Sequence, residues 1–106
     1  MSNGFIQQVD VVKHVNTAIY TVTAGRYSEF SLNLLNRTTA PINISIAICT
    51  TDNPANNEYI EQGITIPAKT AVVRDGLIAV AGKRVVIQTV ENGITATASG
   101  TEVTPT

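Results

Sequence analysis

Residues 30–48 read FSLNLLNRTTAPINISIAI, two alternating stretches on either side of a polar break. Ile42, Ile44, Ile46 and Ile48 fall on one face, with Asn43, Ser45 and Ala47 on the other. That period of two is the mark of a half-buried strand. Phe30, Leu32 and Leu34 alternate with Ser31 and Asn33 in the same way. Asn36 and Pro41, inside NRTTAP (36–41), are turn formers. Together the stretches predict an antiparallel hairpin facing a common core.

Working outward, FIQQVDVV and AIYTVTA supply two earlier strands. Val11, Val12 and Val15 fit a helical turn loosely, but β-branched residues lose χ1 freedom in a helix, so a strand is the better reading. TTDNPANN (50–57) is the longest polar stretch and a surface loop, since Pro54 cannot donate to a ladder. EYIEQGITIP resumes a strand that Gly63 bulges or bends. AVV and LIAV follow as short strands joined by a turn at Asp75-Gly76. RVVIQTV and ITATAS close the series, with Asn92-Gly93 as a hairpin signal between them. About eight short strands spaced by roughly 8–12 residues predict an all-β, antiparallel β-sandwich, either jelly-roll or immunoglobulin-like. Residues 15–103 form the domain, 1–14 an N-terminal arm or first strand, and 104–106 a frayed tail.

Three strands begin after a related turn: Ala24-Gly25-Arg26, Ala81-Gly82-Lys83-Arg84 and, more loosely, Pro67-Ala68-Lys69. Glycine reverses the chain at positive φ with little cost. The cation that follows blunts the strand tip against stray pairing.

The chain of 106 residues is 43% apolar, enough for one core. No apolar run reaches the roughly 18 residues of a membrane-crossing helix. The N-terminus has no basic segment followed by an apolar one, so synthesis in a cytosol is expected. Seven cations and eight anions are scattered along the sequence, and no basic block offers itself to nucleic acid. Charged residues make up 14%, against roughly 25% in ordinary soluble domains. Neutral hydroxyls and amides cost less to bury than ions, so such a surface favours contact with other proteins.

Candidates for chemistry are few. His14 is the only histidine and Cys49 the only cysteine, which excludes a disulfide or a zinc cluster within the chain. Cys49 lies on the strand face opposite the isoleucines and reads as a small buried hydrophobe. Glu58 and Glu61, three apart on a strand, point to opposite faces rather than pairing as glycosidase acids do. The 52–58 loop carries oxygen ligands without the acid density of a calcium loop. Tyr27 and Tyr59, with that loop, are the residues a glycan site would use. No catalytic, metal or cofactor residue is assigned, and the expectation is a non-enzymatic binding or structural module.

The order of motifs resembles that of small virion structural proteins of tailed bacteriophages, notably cyanobacterial and marine phages. The shared pieces are Ile19-Tyr20-Thr21-Val22-Thr23-Ala24-Gly25-Arg26, Asn36-Arg37, Ile44-Ser45-Ile46-Ala47-Ile48 and Asp52-Asn53-Pro54. Tyr59-Ile60-Glu61, Ala81-Gly82-Lys83-Arg84-Val85-Val86-Ile87 and Gly100-Thr101-Glu102 complete them, so the likeness covers residues 15–103. It implies a β-sandwich subunit of the virion, assembled in the host cytoplasm and displayed in many copies. The implied role is a capsid decoration or cement protein, a homo-oligomer (a trimer by analogy) bridging major capsid subunits. Tail or baseplate placement and a carbohydrate-binding module are the alternatives. Expected contact residues are Phe5 and Ile6 in the N-terminal segment, which could extend a neighbour's sheet, and Arg26, Arg37 and Arg84 at strand ends.

Overall fold

The alternation around residues 30–48 forms two strands, Tyr27–Asn36 (β3) and Ile42–Cys49 (β4). The computed structural model describes residues 2–103, apart from the side chains of Ser2, Asn3 and Phe5. The expected tail at 104–106 lies outside the described residues. The other strands are β1 (Ser2–Val11), β2 (Thr17–Thr21), β5 (Tyr59–Ile66), β6 (Ala71–Val80), β7 (Arg84–Thr89) and β8 (Ile94–Val103).

Two antiparallel four-stranded sheets result, in the orders β1-β8-β3-β6 and β2-β7-β4-β5. Each strand of the first half of the chain pairs with its counterpart counted back from the end: β1 with β8, β2 with β7, β3 with β6, β4 with β5. That is a long two-stranded ribbon folded over on itself. It makes the sandwich a jelly roll rather than an immunoglobulin fold. Leu32 and Leu34 of one sheet and Ile44, Ile46, Ile66 and Ile87 of the other are all at most 1% exposed and fill the space between the layers.

This topology corrects three local expectations. β3 and β4 do not form a hairpin; they face one core from different sheets, and residues 37–41 carry the chain between the layers. β7 and β8 are likewise split between sheets. Gly93 between them, at φ 113°, fits because its Cα packs on Thr38, where a Cβ would come within 2.4 Å of a methyl group. Residues 71–73 and 77–80 are one strand, β6, and not a hairpin. Both halves pair with β3, and Asp75-Gly76 is a bulge at which Phe30 opposes Leu77 and Leu32 opposes Arg74. Gly76 takes φ 72° there, which an L side chain adopts only with strain.

The other turn readings match. Gly25 and Gly82 sit at φ 78° and 80° in four-residue turns closed by Arg26 N to Thr23 O (3.1 Å) and Lys83 N to Val80 O (3.1 Å). In the looser third turn Lys69 itself takes φ 56°. β5 bulges beside Gly63, whose N–H bonds the Ser45 hydroxyl at 3.1 Å. Residues 2–11 are extended throughout and pair with β8.

Candidate functional site

The first sheet has an outer face unlike the rest of the molecule. Its four strands, ten residues each, contain a single cation, Arg74. Register places Thr95, Thr97, Ser99 and Thr101 of β8 in a column on this face. Gln8 and Asn33 flank Thr97, and Ile6 and Ser31 flank Ser99. Asp10 opposes Thr95 and accepts hydrogen bonds from its hydroxyl (3.0 Å) and from Arg37 (3.3 Å). Leu35, Val73, Ile78 and Val80 border the face along β3 and β6, and Ile6 lies on β1. These five are among the nine exposed large apolar side chains of the described residues, so apolar exposure concentrates on this sheet. Its carboxylates are Asp10, paired with Arg37, and Glu29, between Thr101 and Ile78; the hydroxyl-rich remainder with its apolar margins loses little on desolvation.

Its long borders differ. Between β1 and β2 the sandwich leaves an open depression of about 430 Å³ lined by Gln7, Tyr20, Thr21, Thr23 and Glu102. At its base the Tyr20 hydroxyl donates to Glu102 Oε2, which also accepts from the Thr23 N–H at 3.3 Å. Arg26 lies 3.8 Å from the other carboxylate oxygen. Tyr20 belongs to one sheet and Glu102 to the other, so the bond links the layers. Burial, then the Glu102 hydrogen bond, push the Tyr20 phenol up to about 12, and an interaction with the Ser28 hydroxyl opposes them. Burial would raise the Glu102 carboxyl, but the hydrogen bonds from Tyr20 and Thr23 and the Arg26 charge outweigh it and hold it below the ordinary range. Between β5 and β6, Arg74 Nε donates to Glu61 Oε1 at 2.8 Å.

The expected contact residues do not converge. Ile6 is 70% exposed on the outer face of β1. Phe5 opposes Gly100, and its side chain lies outside the described part of the structure. Arg26 pairs with Glu102, Arg37 with Asp10, and Arg84 with Asp52 at 2.8 Å. Each arginine fastens a strand end to a neighbouring element of its own chain.

The 50–58 loop has a comparable internal role. It covers a second small core of Ala47, Cys49 and Val86, against which Tyr59 packs. Arg84–Asp52 and Lys83–Glu58 hold it down, and Glu58 also accepts from the Ala55 N–H at 2.8 Å. Cys49 is fully buried, and its thiol donates to the Thr51 carbonyl oxygen at 3.0 Å. Burial, then the Glu58 charge, raise its pKa. Tyr27 and Tyr59 sit on different sheets. Among the described residues no three His, Cys, Asp or Glu side chains are grouped as metal ligands. The Tyr20–Glu102 bridge had a sequence signal: Ile94, Ala96 and Ala98 set the inward phase of β8, and Glu102 continues it.

No protein family matches this chain, and no curated protein does.

Proposed function

We propose that the chain is a non-enzymatic structural subunit that works by packing a sheet face against neighbouring proteins on a phage particle, as a decoration or cement protein of the head. The observation that carries this reading is the outer face of the β1-β8-β3-β6 sheet. It is rich in hydroxyls and bordered by exposed Leu35, Val73, Ile78 and Val80; Arg74, the single cation of its four strands, opposes the buried Leu32 and reaches Glu61 of the other sheet instead. The order of motifs shared with phage virion proteins supplies the setting. Repetition on a symmetric shell multiplies a modest contact over many sites.

The test is reconstitution. Purified protein is added to expanded heads lacking it, and bound copies and head rupture temperature are measured. Saturable binding with a raised rupture temperature is expected, and both are lost in Thr97→Glu/Ser99→Glu, which charges the centre of the face. Binding to headless tails instead moves the site of action to the tail or baseplate. Retention on host polysaccharide with no particle present supports a glycan-binding module.

A further inference from the structure

Free sheet edges invite other chains, because their unpaired N–H and C=O groups can accept another strand. This sandwich has four: β1 and β6 on one sheet, β2 and β5 on the other. Three are obstructed. β2 has five residues and a register break between Ala18 and Tyr20. β5 breaks register twice against β4 and carries Glu61. β6 bulges at Asp75-Gly76, and Arg74 Nη1 bonds the Val73 carbonyl oxygen beside it at 3.2 Å.

β1 has no such device. Its register with β8 runs unbroken from Ser2 to Val11, with neither proline nor lysine and one charge, Asp10, near the far end. Among the described residues, its backbone has no hydrogen bonds beyond the β8 ladder.

We infer that β1 is a dimerisation edge: two copies of the chain pair β1 with β1, antiparallel, about a two-fold axis at Ile6. The two first sheets then join as one sheet of eight strands. A two-fold axis normal to an antiparallel ladder passes between directly opposed residues, so one residue must face its own copy. With Ile6 there, the most exposed large apolar side chain of the described residues meets its equivalent at the ~5 Å spacing of cross-strand neighbours. Gly4 then lies opposite Gln8 of the second copy and leaves room for that side chain. Asp10 lies opposite Ser2, and no two like charges meet.

The contact is large enough. Nine overlapping residues span about 30 Å, and with the 18 Å narrowest extent of the molecule, β2 included, this side offers a footprint of at most about 550 Å² on each copy and ~1,100 Å² in all. Specific interfaces begin near about 1,000 Å². Ala18 and Thr21 of β2, exposed and uncharged, flank β1 on the same side and lie within that footprint.

The pairing deepens the structural-subunit reading by naming how copies meet, and the two fail separately, since self-association is measured on the isolated chain. It yields a dimer or an assembly of dimers, in place of the trimer that the phage likeness implies. Sedimentation equilibrium of the full chain should give twice the chain mass, and Ile6→Lys should shift it to the monomer mass with an unchanged melting temperature. Ile6→Cys should form a reducible covalent dimer under mild oxidation, while Val73→Cys, on the far edge, should not. A monomer or trimer, or equal cross-linking at both positions, overturns the proposal. So does a monomeric chain whose β1 amides gain exchange protection only on particles, because the edge then receives a foreign strand.

Discussion

The two long sides of the sandwich are closed by polar bridges of opposite kinds. On the β5/β6 side, Arg74 and Glu61 meet at 2.8 Å with side chains 36% and 28% exposed. On the β1/β2 side, Tyr20 and Glu102 are each only 8% exposed. An ion pair in water gains little, because solvent already satisfies both partners. At the nearly buried base of the depression water replaces a phenol–carboxylate bond only in part, so losing either partner costs more than at an exposed pair. The difference also separates closure from recognition. The β5/β6 side shows its bridge to solvent and with it two charges and a bulge, whereas the β1/β2 side hides its bridge and leaves the β1 edge with a single charge, Asp10, near its end.

The largest expected effect comes from Glu102→Ala, which leaves the Tyr20 hydroxyl and Thr23 N–H without their acceptor. Urea unfolding should show a loss of about 3 kcal/mol. Tyr20→Phe keeps the ring, which packs edge-to-face on Phe30 with centroids 5.8 Å apart, and should cost about 1.5 kcal/mol. A loss as small as that of the exposed pair would break the comparison.

Titration sharpens it. The folded-state pKa of Glu102 lies below its ordinary 4.5, so its contribution is present above that value and is withdrawn as pH falls through the folded-state pKa. Tyr20 is raised from 10.0 to about 12, so its contribution holds below pH 10 and is lost between 10 and about 12. Melting temperature against pH should fall in both windows, and Tyr20→Phe should remove the alkaline fall.

Smaller effects belong to the other side. Gly76→Ala forces a side chain into positive φ and should cost about 1 kcal/mol in the same urea assay. Arg74→Met, at the exposed bridge, should cost only about 0.5 kcal/mol.

The sequence showed which segments are strands and where they turn, because alternation and glycine act locally. Ile42 to Ile48 and the Gly25 and Gly82 turns needed no tertiary information. Pairing was not legible in the same way. Asp75-Gly76 satisfies the φ requirement of a hairpin turn and of a bulge equally, and only the pairing of both halves with β3 decides between them. Asn92-Gly93 has the same ambiguity: it turns the chain, but into the opposite layer. The arginines at strand ends looked like contacts for a partner because their acids lie far off in sequence, Asp10 being 27 positions from Arg37. Glu102 was within reach by counting phase along β8, yet its partner Tyr20 is 82 residues away.

The pairing of β1 with β8 has a consequence during synthesis. Of the eight strands, β1 leaves the ribosome before the others and pairs with β8, which follows them, and roughly eighty residues separate Val11 from Ile94. At about 5–20 residues per second, β1 waits on the order of 4–16 seconds for its neighbour. Until the final strand emerges, the N-terminal segment is a solitary ribbon with both margins open, and a polysome brings many such ribbons close together.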